Sequence, residues 1–275
     1  MQKEKIKIFG VKFDEIDFKE ALNESLAYAQ DSHQHFIATP NPEILLEARK
    51  NAKFKDILNS SSMNIPDGTG VLWAAKYMQI SQKSKSKLVK ITKWFLSIIS
   101  IAIYPKYIHN VLKERVTGVD LMEKICEAGA KKGLKIFLLG ASIETGKKAK
   151  EVLEKKYKSI KIVETFSGSP KEKDENEIIK KINQHSPAIL FVAYGAPAQE
   201  LWIKRNIKHM PSVKLAMGVG GAFDLIAGGK KRAPKWARKI GIEWLFRLVQ
   251  EPKRVRRIFN ATIKFPIRIL LESFK

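Results

Sequence analysis

Lys135-Ile-Phe-Leu-Leu-Gly140 carries no charge after its first residue and ends on a glycine. An uninterrupted apolar run of this length predicts a strand covered on both faces, as in a parallel sheet. Outward from it the signals alternate. Ile143 to Tyr157 has helical spacing, Ile160 to Phe166 is a β-rich strand, and Glu172 to His185 is a polar-faced helix. Ala188 to Tyr194 is a second apolar strand, Ala198 to Lys208 a helix and Val213 to Val219 a strand. Upstream, His35 to Thr39 is a strand followed by a helix through Ile44, Leu45 and Ala48; Asn64-Ile65-Pro66 is a short strand, and Gly70 to Met78 and Gly118 to Lys132 are helices. Strands alternating with helices predict an α/β fold, a parallel sheet with helices on both faces. Met1 to Gly10 alternates Lys with Ile and Phe and lacks the long apolar centre of a secretory signal, which predicts a retained strand.

The chain has 275 residues, 44% of them hydrophobic, enough to bury a core without disulfide or metal staples. Its one cysteine, Cys126, excludes an internal disulfide framework, fits a reducing compartment and is most simply core packing. The formal net charge is +23, which directs attention to polyanionic partners: nucleic acid, anionic lipid or phosphorylated substrates. That charge is segregated. Residues 230–275 hold 14 Lys and Arg against three Glu, a net +11, and residues 76–115 hold 9 against Glu114 alone, a net +8. The rest of the chain is nearly neutral.

Both basic segments are also rich in large apolar residues, among them Trp94, Phe95, Ile98 and Ile99 in one and Trp244, Phe246, Ile258 and Phe259 in the other. Basic helices with an aliphatic and aromatic face suit a membrane interface. A nucleic-acid footprint would not need the aliphatic residues, so nucleic acid is set aside as a partner, although a non-enzymatic basic protein binding RNA or DNA, or a peripheral membrane scaffold without a nucleotide site, is the alternative reading. A solvated basic face over helices packed on the body is the plainer one. The longest nearly charge-free apolar run, Trp94 to Tyr104, is 11 residues, against the ~20 of a spanning helix. The expected organisation is a body over residues 1–229 with an insertion at about 80–113, the Gly228-Gly229 pair closing the body, and a basic helical appendage over 230–275.

Ligands of an open α/β sheet gather at the carboxyl ends of its strands. Thr39, Asn41, Asp67, Gly140, Gly195 with Gln199, and Gly218-Val-Gly220-Gly221 all fall there. Glycine turns at such ends let backbone N–H groups approach a phosphate. Gly218-x-Gly220-Gly221 lacks the third spaced glycine of a dinucleotide fingerprint. Asp67, between Pro66 and Gly68, could cap the following helix or act as a general base toward an attacking hydroxyl. No Asp-x-Asp pair is present to hold a divalent ion, and His33-x-His35 has no third ligand, so no metal and no cofactor is expected. Neutralising a leaving diphosphate would then fall to arginines, for which Arg247, Arg254 and Arg257 are the candidates.

Taken in order, Thr39-Pro-Asn-Pro-Glu43, Ile65-Pro-Asp-Gly-Thr-Gly-Val71, Glu114-Arg-Val-Thr-Gly-Val-Asp120, Gly195-Ala-Pro-Ala-Gln-Glu-Leu-Trp202, Gly218-Val-Gly-Gly-Ala-Phe-Asp224 and Arg232-Ala-Pro-Lys-Trp236 resemble the motifs of the WecG/TagA/CpsF family. The resemblance continues from Gly241 to Arg254 and leaves out only the stretch between Tyr77 and Arg115, where relatives are much shorter. It implies a Rossmann-like body, a C-terminal appendage that docks on the membrane, and an inverting, metal-independent glycosyltransferase. Such an enzyme moves a sugar such as N-acetylmannosamine from a UDP-sugar to a sugar linked to undecaprenyl diphosphate, at the cytoplasmic face of the membrane. It further implies Asp67 as general base, Thr39, Asn41, Arg115 and Gln199 as pocket residues around the sugars, and Arg247, Arg254 and Arg257 as contacts of the UDP diphosphate. The transferred sugar, the polymer built and the presence of a homo-oligomer stay open.

Overall fold

The structure is a computed structural model that describes residues 6–229, Ala233, Pro234, Ala237 and 243–275, without the side chains of Ala102, Arg247 and Lys253. A small antiparallel hairpin comes first: β1 (Ile6–Ile8) and β2 (Val11–Phe13) are joined by Phe9 and Gly10, both at positive φ. Two consecutive positive φ values match the right-handed twist of the flanking strands.

Six parallel strands build the body: β3 (His35–Ala38), β4 (Met63–Asn64), β5 (Lys135–Gly140), β6 (Lys161–Phe166), β7 (Ile189–Ala193) and β8 (Leu215–Gly218). They lie in the order β4-β3-β8-β7-β5-β6. The connecting helices are α1 (Phe18–Tyr28), α2 (Pro42–Lys50), α3 (Ala52–Asn59), α4 (Thr69–Gln82), α5 (Lys87–Ile103), α6 (Gly118–Lys131), α7 (Ile143–Lys156), α8 (Glu175–His185), α9 (Ala198–Asn206) and α10 (Ala222–Ile226). The period of two along each strand explains the apolar runs. Phe137 and Leu139 of β5 join one core cluster with Leu190 and Val192, while Ile136 and Leu138 join another with Ile189 and Phe191 on the opposite face.

The α/β class, the parallel sheet and the C-terminal helical segment agree with the sequence reading. The helix expected over Glu172 to His185 divides into a 3-10 turn at Glu172–Asp174 and α8. Helices α1 and α3 and the strand β2 were not anticipated. Helix α1 has a sequence cue all the same: Asp17 and Glu20 form a reciprocal capping box at its start.

The C-terminal helices are α11 (Glu243–Gln250), α12 (Val255–Phe259) and α13 (Phe265–Ser273), with a π-helical turn at Asn260–Lys264 between the last two. Helix α13 is part of the body's core. Phe265 and Ile269 are fully buried, Phe265 meets Phe9 edge-on at 5.8 Å, and the Tyr77 and Ser273 hydroxyls are 2.9 Å apart. Helix α5 is fastened on both sides. Trp73 of α4 donates from its indole N–H to the Ser97 hydroxyl at 2.9 Å, and Trp94 donates to the Pro266 carbonyl at 2.9 Å. Lys90 of α5 reaches the Ser273 carbonyl.

Candidate functional site

A polar cleft of about 200 Å³ opens over the carboxyl ends of β3, β4, β7 and β8. Thr39, Asn41, Asp67, Gly195, Gln199, Gly220 and Gly221 line it, together with Arg254 and Arg257. Strand order decides who takes part. Gly140 ends β5, which lies beyond β7 and next to the edge strand, and it does not line the cleft. Its glycine serves packing: at φ +103° an added Cβ would sit 2.8 Å from the Ala193 backbone.

Asp67 follows β4 in a turn whose next residue, Gly68, has φ +121° and ψ 144°, a conformation reserved for glycine. Gly68 holds the N-cap position of α4, so that helix starts without a side-chain cap. Asn41, by contrast, is a true N-cap: its Oδ1 accepts from the N–H groups of Glu43 and Ile44 at 3.0 and 3.1 Å.

Gln199 braces the two glycine loops. Its Oε1 accepts from the N–H of Gly195 at 3.1 Å and of Gly220 at 3.0 Å, and its Nε2 donates to Glu200 Oε1 at 2.8 Å. Those two loop amides are therefore engaged by a side chain, and they shape the cleft from β7 to β8. Gly218 makes room for the brace, since an added Cβ would lie 2.5 Å from Gln199 Nε2. Beneath it, Glu200 is 1% exposed, and its Oε2 has no hydrogen-bond partner. Burial pushes its carboxyl up to about 7, over the opposing pull of the Gln199 amide.

A second, apolar cavity of about 450 Å³ lies beside the first, between α4, α5 and the C-terminal helices. Trp73, Ile98, Ile101, Trp244, Ile258 and Pro266 line it, as does Arg115. Asn41, Asp67, Glu243, Arg254 and Arg257 line both cavities, so the two meet at a polar seam containing Asp67. The arginines are held by carboxylates: Arg257 donates to Glu43 from Nε at 2.9 Å and pairs through Nη2 at 2.8 Å, Arg254 pairs with Glu251 at 2.5 Å, and Arg115 pairs with Glu243 at 3.6 Å. The Arg247 side chain lies outside the described residues.

Sequence reasoning missed Glu200, Glu243 and the cavity wall at Ile98 and Ile101. Glu200 follows Gln199 in a motif already singled out, but nothing in the string marks it as buried, and Glu243 and the wall had no signal short of the tertiary packing. Among the described residues no group of three or more His, Cys, Asp or Glu is placed to hold a metal ion. Cys126 is buried in the core, where desolvation pushes its thiol up. His35 stacks on Tyr28 at 4.0 Å and bonds Asp31 at 2.6 Å, at the opposite end of β3 from the cleft.

A polar cleft and a larger apolar one that share two carboxylates, Asp67 and Glu243, and two arginines, Arg254 and Arg257, suit an enzyme joining a charged substrate to a greasy one. Known proteins specify the class. The sequence profile described as "Glycosyl transferase WecG/TagA/CpsF family" matches residues 6–106 and 99–275, and the protein is a glycosyltransferase. Within that class the chain belongs to the WecG/TagA/CpsF family, the two matched segments meeting inside the insertion. A relative from Staphylococcus aureus (strain MRSA252) is 30% identical over 261 residues, covering 94% of this chain and 90% of its own. One from Bacillus subtilis (strain 168) is 30% identical over 237 residues, covering 86% and 79%. Both are called N-acetylglucosaminyldiphosphoundecaprenol N-acetyl-beta-D-mannosaminyltransferase.

Proposed function

We propose that the protein transfers N-acetylmannosamine, or a closely related hexosyl unit, from a UDP-sugar to a hydroxyl of N-acetylglucosamine carried on undecaprenyl diphosphate. Configuration inverts and no metal ion takes part. The observation that carries this reading is the position of Asp67 at the seam of the polar and apolar cavities. The names of the two bacterial relatives supply the acceptor and the sugar.

In this mechanism the Asp67 carboxylate takes the proton of the acceptor hydroxyl while that oxygen bonds the anomeric carbon. The bond from that carbon to the donor diphosphate breaks with its electron pair, and UDP leaves with the negative charge. Arg254 and Arg257, which line both cavities, exchange their carboxylate partners for phosphate oxygens; guanidinium stays charged and pairs bidentately with either. Thr39 and Asn41, which line the polar cleft, would border the sugar, and Gln199 ties the two glycine loops together.

No helix among the described residues is long and apolar enough to cross a membrane. The basic, apolar outer surfaces of α5 and the C-terminal helices would seat the enzyme on anionic lipid at the inner face of the cell membrane. The deciding assay offers a panel of UDP-sugars with a short-chain prenyl-diphosphate N-acetylglucosamine acceptor, in chelator. Consumption of one UDP-N-acetylhexosamine with stoichiometric release of UDP is expected. If every donor stays intact, or nucleic acid binds and no vesicle does, this reading fails.

A further inference from the structure

We infer that the apolar cavity walled by α5 is a slot for the prenyl chain of the acceptor, seating the isoprene units nearest the diphosphate. The inference rests on the lipid-linked acceptor proposed above and adds where its tail runs. Three observations lead to it.

The first is the division of polarity. Every residue shared by the two cavities is polar or charged, whereas Trp73, Ile98, Ile101, Ile258 and Pro266 border the larger cavity alone. A ligand fitting both ends therefore has an anionic head at the seam and a hydrocarbon tail beyond it. Arg115, which borders this cavity and not the polar cleft, is the cation left for the acceptor's diphosphate once Arg254 and Arg257 hold the donor's; it would exchange Glu243 for a phosphate oxygen. The second is size. At about 450 Å³ the cavity is more than twice the polar cleft and has room for several five-carbon units.

The third is the two-sidedness of α5. Trp94, Ser97, Ile98 and Ile101, at helical spacing, turn toward the protein. Leu88, Phe95, Leu96, Ile99 and Ile103 are exposed, with Leu88 at 74% and Ile103 at 77%. The helix contains Lys87, Lys90 and Lys93 and no acidic residue. A chain leaving the cavity along such a helix passes from a protein-lined apolar wall to an apolar outer surface without crossing a carboxylate on α5. An acyl chain of a phospholipid would meet the same hydrocarbon wall, but its single phosphate would not bring a sugar hydroxyl to Asp67.

The test compares transfer to an undecaprenyl-diphosphate acceptor in micelles with transfer to a water-soluble short-chain analogue, in wild type and in two kinds of variant. Ile98→Ser with Ile101→Ser strips the wall, and Ile98→Trp fills the slot while remaining apolar. The expected result is a wild-type preference for the long chain that falls about tenfold or more in each variant, with the short-chain rate falling far less. An unchanged preference would overturn the slot. A separate binding readout needs no turnover: with the protein already seated on phosphatidylglycerol vesicles, adding undecaprenyl phosphate should change the tryptophan emission of the wild type further and leave that of Ile98→Ser with Ile101→Ser unchanged. An equal further change in both proteins, or none in the wild type, would overturn the slot as well. Were the wild type to use neither acceptor while undecaprenyl phosphate still bound in this way, the slot would stand and the proposed reaction would fall.

Discussion

Gln199 donates from Nε2 to Glu200 Oε1 at 2.8 Å, so two sequence neighbours are also hydrogen-bond partners in the floor of the cleft. The bond ties the brace of two glycine loops to a carboxyl that has no solvent, and the remaining oxygen of that carboxyl has no partner. Proton uptake at Glu200 is therefore coupled to folding.

The direction follows from the raised value. Unfolded, Glu200 titrates near 4.5; folded, burial holds it at about 7. Below 4.5 it is neutral in both states, so its favourable contribution is complete there. As pH rises toward 7 the unfolded chain sheds the proton first, and stability falls by up to about 3 kcal/mol before levelling off. Glu200→Gln should flatten this slope. Urea midpoints at pH 5 and pH 8 measure it, and equal slopes for the two proteins would exclude the effect.

Gln199→Ala leaves the Gly195 and Gly220 amides without their partner and should cost about 2 kcal/mol or more of stability. Donor KM should rise more than kcat falls, because the loops shape the cleft and do no chemistry. Gly218→Ala should reproduce the effect by steric displacement of the same amide group. Thermal unfolding and steady-state kinetics of both variants check this.

Asp67→Asn keeps shape and size and removes the proton acceptor. Turnover should drop by roughly two to four powers of ten. Melting temperature and UDP-sugar affinity should stay near wild type, so calorimetric donor binding beside a rate assay separates lost chemistry from lost folding. A rate near wild type would remove Asp67 from the role of base.

Leu96→Glu combined with Ile103→Glu places two charges on the outer face of α5, at positions 62% and 77% exposed. Cosedimentation with phosphatidylglycerol vesicles should weaken strongly, while thermal stability, which owes little to exposed side chains, should hardly move. Undiminished sedimentation would mean that α5 does not face lipid.

The central strands were readable because a strand buried on both faces has nothing to alternate with, and β5, β7 and β8 came out within a residue or two of their bounds. Residues at the strand ends were readable for the same reason, since topology brings Thr39, Asp67, Gly195 and Gly220 to one edge of the sheet. Adjacency across the sheet was not: only the strand order separates Gly140 from the cleft. Nor could a string of residues disclose that Glu200 is buried, because a glutamate in the first turn of a helix ordinarily faces water and favours the N-terminal end of the dipole. The apolar cavity joins α5 to helices about 150 residues later, and no periodicity reaches so far. The large apolar residues of α5 were visible in the sequence, and their partition into a wall and an outer surface was not.

That partition bears on how the protein behaves in a test tube. With +23 charges, copies repel one another at low ionic strength. At 1 M salt the screening distance shrinks to about 3 Å, and the repulsion vanishes while the bare stripe from Leu88 to Ile103 keeps its affinity for its own kind. Concentrated brine should thus clump this molecule, and a mild surfactant in dilute buffer should keep it single.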